Sequence, residues 1–289
     1  MAGETRRAVF AQPEWLRQVP SSLRLPSEAT VVFTGCGTSF HAAQTGGWAV
    51  QALDAVVTPP RADIMVCVSH EGTTALTMEA ERAFGGDVWL VTGTPESEFA
   101  ALADEVIVCT PELERSWCHT ASYTCAVAAI EALNGEDIEE LPAGVEQALQ
   151  APVEPFAHDR ALIAGAGRDW PTAQEAALKL REGAWVDAVA YQTEQLLHGH
   201  LAAVDERVRA FVLEGDGRAA ERAHDAAAQL EKLGCEVTVL PTRRPVIDIV
   251  HFHLLTLADA DARGIDPDPI RRSPGSRWAE ATGVPYPHA

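Results

Sequence analysis

Two groups of residues in this 289-residue chain have the types and spacing to do chemistry. The first is Lys179-Leu180-Arg181-Glu182, with His198 following sixteen residues after the glutamate. On a helix, positions i and i+3 project from one face, so the Lys179 ammonium can hold the Glu182 carboxylate ionised. A carboxylate poised beside a carbonyl, with a neutral histidine in reach, is what an enolisation requires. The plainer reading is a surface ion pair and a capping histidine. Lys179 and Lys232 are the chain's two lysines, and the fall of one of them in this motif favours the chemical reading.

The second group is a pair of loops, Gly35-Cys36-Gly37-Thr38-Ser39 and Ser69-His70-Glu71-Gly72-Thr73-Thr74, each between an apolar run and a helical pattern. Glycines at a helix start let backbone N–H groups and hydroxyls approach an anion that the helix dipole favours. Either loop alone could be a tight turn. Two on consecutive strands point to a shared anion pocket. Cys36 could be a reactive thiol at a helix start, though a small packed residue is the simpler reading. His119, within Glu114–Thr120, reads equally as a ligand contact or as a histidine bonded at a helix terminus. His251 and His253 are two residues apart on a helix and do not share a face, so no metal site is expected there or elsewhere, and no cofactor is called for.

The elements that position these residues alternate. Apolar runs at 29–33, 64–68, 88–91 and 106–109 read as strands, with helices expected over 41–53, 75–84 and 122–133. An acidic stretch with three prolines, 134–159, reads as a helical connector. Beyond it, a strand at 160–163 runs into Gly165-Ala166-Gly167-Arg168-Asp169 and a helix over 172–186, repeating the unit seen at Gly35. A strand at 210–213, a helix over 218–234, a strand over 235–240 and a helix over 250–262 complete a second copy. The fold expected is α/β, with two subdomains, each a doubly wound parallel sheet flanked by helices and carrying its ligand edge at the strand carboxyl ends. The divisions expected are a lead-in over 1–28, subdomains over 29–150 and 151–262, and a tail over 263–289.

Composition narrows the function. Lys+Arg of 22 against Asp+Glu of 42 gives a net charge of −20, which repels phosphate backbones and anionic lipids, so no nucleic-acid or membrane partner is expected. No apolar run approaches the ~18–20 residues of a membrane span, and no signal-peptide core follows the N-terminal arginines. Six cysteines without a C-x-x-C pair read as reduced thiols of a cytoplasmic protein.

Five motifs resemble those of the sugar isomerase (SIS) family of phosphosugar-binding proteins, in particular the isomerase half of glucosamine-6-phosphate synthase, over nearly the whole chain. They are Phe10-Ala11-Gln12-Pro13-Glu14, the two glycine loops, Ala176-Ala177-Leu178-Lys179-Leu180-Arg181-Glu182 and Gln195-Leu196-Leu197-His198-Gly199. The last two are the specific ones. The resemblance implies that Gly37, Thr38, Ser39, Ser69, His70, Gly72, Thr73 and Thr74 contact a sugar phosphate, with His119 in the loop lining the sugar. It implies that Glu182 moves a proton between C1 and C2 of the opened sugar, with Lys179 beside it. It implies that His198 opens the ring from across a homodimer interface. The expected activity is aldose–ketose isomerisation or aminosugar-phosphate deamination of a hexose phosphate; a non-catalytic sugar-phosphate sensor is the alternative. Because the chain starts at the lead-in, no glutaminase domain is expected. Departures from the pattern are Glu71 and His70 in the phosphate loop, Glu194 before Gln195, and a tail with Arg271, Arg272 and Arg277 where the family carries a lysine. Glu71 is expected to be offset by His70 or turned away from the anion.

Overall fold

The computed structural model describes residues 3–282, so positions 283–289 of the expected tail lie outside the described residues. The chain divides into two units, one comprising Glu4–Glu146 with the tail from Arg271, the other Gln147–Ile270.

The first unit opens with helix α1 (Glu4–Leu16) and continues through β1 (Val31–Thr34), α2 (Thr38–Gln44), α3 (Ala52–Val57), β2 (Ile64–Val68), α4 (Ala75–Ala83), β3 (Asp87–Thr92), β4 (Glu105–Val108), α5 (Ala121–Leu133) and all but the last two residues of α6 (Leu141–Ala148). The four strands form one parallel sheet in the order β1-β2-β3-β4. Its register sets Val32 opposite Met65 and Met65 opposite Val88. All five residues of β2 are buried, as an apolar run covered on both faces requires. Val32, Met65, Cys67, Met78, Leu90 and Phe99 share one core cluster.

The single helix expected over 41–53 is two helices with a strand-like edge between them. At Gly46 an added Cβ would lie 2.5 Å from the Phe33 ring, and Gly47 takes φ +118°. The chain turns there and runs back beside β1. Phe33 N–H donates to the Trp48 carbonyl and Val50 N–H to the Phe33 carbonyl, both at 2.9 Å.

The second unit contains β5 (Arg160–Gly165), a 3₁₀ turn at Gly167–Asp169, α7 (Trp170–Ala184), β6 (Asp187–Gln192), α8 (Thr193–Leu197), a second 3₁₀ turn at His200–Ala203, β7 (Val208–Leu213), α9 (Arg218–Lys232), β8 (Glu236–Leu240) and α10 (Pro245–Arg263). Its sheet is parallel, ordered β6-β5-β7-β8. Strand β6 was not foreseen, because α7 was expected to run on to residue 186. Instead Trp185 takes a left-handed conformation, φ 57°, and ends the helix. Helix α10 begins five residues earlier than expected, at Pro245, whose fixed φ suits a first helical turn. The tail, beyond the second unit, carries a short helix α11 (Arg277–Thr282).

The two-copy reading is visible in the backbone. The edge bridge Phe33–Ala49 in the first unit matches β6 in the second, both placed after the glycine-turn helix. Gly37 and Gly167 have φ of 57° and 56°, and an added Cβ at Gly35 or Gly165 would come within 2.8 Å of the backbone four residues on.

Candidate functional site

In the first unit both glycine loops follow strands whose neighbours fix them. Thr38 and Ser39 are half-buried on the first turn of α2, where Ser39 N–H reaches the Cys36 carbonyl at 3.1 Å. Cys36 packs with its Sγ 3.7 Å from Thr77 Oγ1, and burial pushes its thiol up, away from thiolate chemistry. In the second loop Ser69 is buried, with its Oγ 3.2 Å from Thr74 Oγ1. Gly72 is held at φ 64°, and a Cβ there would lie 2.0 Å from Ser97 Oγ, so the turn requires glycine. Thr73 and Glu71 are exposed, and Thr74 caps α4 without using its hydroxyl on the helix.

His70 is bonded within the loops of the first unit. Its Nε2 accepts the Glu114 N–H at 3.0 Å, which leaves the proton of a neutral ring on Nδ1. Its carbonyl accepts the hydroxyls of Thr92 and Thr94, both at 3.1 Å. Burial, and next the His119 ring at 5.3 Å, push its pKa down to about 4 against the pull of Glu114. A neutral ring tied to a neighbouring loop carries no charge to set against Glu71, which is exposed to solvent.

The loop that carries His119 is braced by Glu114, a buried carboxylate. Its oxygens accept Thr120 N–H at 2.8 Å, Thr120 Oγ1 at 2.9 Å and Ser122 N–H at 2.7 Å, which satisfies the start of α5. His119 Nδ1 is 4.0 Å from the same carboxylate. From the tail, the Arg272 guanidinium lies 5.1 Å over the Trp117 ring, while Arg271 and Arg277 flank Trp278 at 4.5 and 4.3 Å. One tail arginine therefore rests on the loop of His119.

In the second unit, α7 carries the acid/base candidates. Lys179 is 0% exposed, and its Nζ lies 2.6 Å from Glu182 Oε2 and 3.4 Å from Glu175 Oε1. Glu175 is also 0% exposed, whereas Glu182 is 21% exposed and so presents a carboxylate edge to solvent. This is not a surface pair. The Lys179 ammonium thus has two carboxylate neighbours on its own helix. On α10, His253 is buried with neither ring nitrogen hydrogen-bonded, and burial, then Lys179, push its pKa down to about 3. His198 stands apart from this cluster at the end of α8, 73% exposed, with its Nε2 2.8 Å from Glu194 Oε1.

Sequence reasoning missed Glu175 and Glu114. The first was readable, since Glu175 and Lys179 are four apart on a helix. The second depends on a loop closing back on a helix start, for which the sequence carries no spacing signal. Among the described residues no group of three or more His, Cys, Asp or Glu could hold a metal ion, and no helix is long and apolar enough to cross a membrane.

No family model matches the chain. It is 25% identical over 307 residues to the isomerizing glutamine–fructose-6-phosphate aminotransferase of Gloeobacter violaceus, covering 83% of this chain and 50% of that protein. It is 29% identical over 305 residues to the enzyme of the same name from Symbiobacterium thermophilum, again covering 83% and 50%. The chain thus spans about half the length of these curated relatives. Among solved structures, the C-terminal domain of glucosamine-fructose-6-phosphate aminotransferase from Francisella tularensis superposes with a TM-score of 0.78 at 17% identity, covering 93% of this chain and 98% of that one. Glucosamine-6-phosphate deaminase from Thermotoga maritima gives 0.75 at 19% identity, covering 95% and 98%. By sequence the chain is similar to the isomerizing aminotransferases, and by fold to phosphosugar isomerases, so its resemblance to the sugar isomerase family holds over most of its length.

Proposed function

We propose that the chain binds a hexose phosphate and moves a proton between its C1 and C2, as an aldose–ketose isomerase or an aminosugar-phosphate deaminase. The observation that carries this is Glu182, a part-exposed carboxylate at 2.6 Å from a fully buried ammonium. Thr38, Ser39, Ser69, Thr73 and Thr74, with the glycine turns at Gly37 and Gly72, are the residues proposed for anion recognition. Glu182 is the residue proposed for the proton chemistry. The Glu182 carboxylate takes the proton from the carbon beside the carbonyl, the C–H pair becomes the C=C bond of an enediolate and the carbonyl pair moves onto its oxygen; that oxygen takes up a proton as the neighbouring hydroxyl gives one up, and the same carboxyl returns its proton to the former carbonyl carbon as the new C=O closes. Glu175 keeps Lys179 paired throughout, so the buried ammonium stays charged while Glu182 is neutral. His198, exposed on its own chain, serves ring opening in a second copy; mixing Glu182→Gln with His198→Ala subunits should regenerate active sites, and a dead mixture with proven exchange would remove the shared site.

The test is a thermal-shift panel of hexose and aminohexose 6-phosphates, since a ligand at ~100 times its Kd stabilises by about 2.7 kcal/mol. The best binder is then assayed with the wild type and Glu182→Gln. Binding without turnover by the wild type would support the sensor reading, which the exposed Glu71 and the lysine-free tail favour.

A further inference from the structure

Helix α8 carries an arrangement that the proposed reaction leaves unused. Glu194 and His198 lie four apart on it, and Glu194 Oε1 is 2.8 Å from His198 Nε2. Arg222, from the second turn of α9, holds the other side of that carboxylate: its Nε is 2.7 Å from Oε2 and its Nη2 3.2 Å from Oε1. A carboxylate gripped at both oxygens by a planar guanidinium has one orientation to offer, and here it faces the imidazole. The Arg222 contacts, more than His198, hold the Glu194 carboxyl below its ordinary range, so it is an acceptor at neutral pH. Arg222 is itself anchored by Asp225. The backbone beyond His198 is pinned as well, since Gly199 takes φ 146° and His200 stacks on Tyr191 with ring centroids 4.5 Å apart.

We infer that Glu194, clamped by Arg222, is a positioning residue that fixes His198 with its proton on Nε2 and presents Nδ1 as the working nitrogen. The inference rests on the ring-opening role proposed above. In that step the unprotonated Nδ1 takes the proton of the anomeric hydroxyl, and its O–H pair closes the C1 carbonyl. The C1–O bond to the ring oxygen breaks, the bonding pair going to that oxygen, which takes a proton from water. The imidazolium left behind keeps Nε2–H on Glu194 and returns its Nδ1 proton to the hydroxide so formed, which restores the starting tautomer. Histidine tautomer choice follows from the bond made by the other ring nitrogen, which is the part Glu194 takes. Gln195, one residue later, lies on another part of the helix circumference and carries no charge.

The experiment reads the His198 tautomer directly, by long-range nitrogen–proton correlation on selectively labelled protein above the titration of the ring. In the wild type the Nε2–H form should dominate. Glu194→Ala should relax the ratio toward that of a free imidazole, Arg222→Met should move it part of the way, and Glu194→Gln, whose amide oxygen still accepts, should restore it. A ratio unchanged in Glu194→Ala would overturn the inference and reduce the contact to an exposed ion pair of no consequence. A second arm measures anomerisation of glucose 6-phosphate by exchange NMR, where Glu194→Ala should lose about tenfold in kcat with KM unchanged, and loss confined to KM would also overturn it. Should the wild type leave every hexose phosphate unchanged, the proposed function falls while the tautomer result still stands or fails by itself.

Discussion

Replacing Lys179 by methionine tests the buried cluster on α7 most severely. The ammonium is 0% exposed and lies between Glu182 at 2.6 Å and Glu175 at 3.4 Å. At an effective dielectric of about 20, unit charges separated by the longer of these distances attract by about 5 kcal/mol. Desolvation offsets part of that attraction, but the methionine variant leaves the Glu175 carboxylate buried without its ammonium. Removing one partner of a buried pair costs about 3–5 kcal/mol. Glu182 is partly exposed, so its share is discounted for solvent screening. The unfolding midpoint should fall by roughly 6–20 °C, at about 2–4 °C per kcal/mol. Trp170 and Trp185 bracket α7, so tryptophan fluorescence follows the loss. Adding Glu175→Met should recover at least half of the deficit, because charge and counter-charge then leave together. A single variant within about 1 kcal/mol of wild type, or a double variant worse than the single, would refute the buried-pair reasoning.

Two further outcomes follow from buried groups. His253→Phe removes a ring whose nitrogens have no partner; the folded-state pKa of about 3 lies below the ordinary 6.5, so the wild type's stability from this group is full above 6.5 and lost as pH falls toward 3. The variant should match or exceed wild type near pH 7 and gain up to about 1.4 kcal/mol per pH unit below about 6.5 in urea titrations, whereas a constant difference would contradict the burial of a neutral ring. Glu114→Ala strips three donors of their acceptor, and should cost about 3 kcal/mol and loosen the loop of His119, visible as faster amide exchange at Thr120 and Ser122; unchanged exchange there would deny Glu114 its bracing role.

Most strands and the order of strand, glycine turn and helix were legible because apolar runs such as Ile64–Val68 and the turn glycines are local signals. The Lys179–Glu182 pair was legible for the same reason, as a helical spacing. What escaped depends on distant packing. The helix expected over 41–53 breaks because Phe33 fills the space at Gly46, and β6 exists because Trp185 stops α7. His70 carries a motif position but is drawn into a bond with Glu114, 44 residues away, which no local pattern announces.

Glu182 is the residue proposed to carry a proton on and off the sugar carbons. Incubating the protein with the best-binding hexose 6-phosphate in deuterium oxide and following the C1 and C2 protons by NMR tests it without coupling enzymes. The wild type should exchange deuterium into the substrate, and Glu182→Gln should do so ~10²–10⁴-fold more slowly while binding the same sugar phosphate. Exchange that persists in Glu182→Gln, or a bound hexose phosphate whose protons never exchange in the wild type, would contradict the claim.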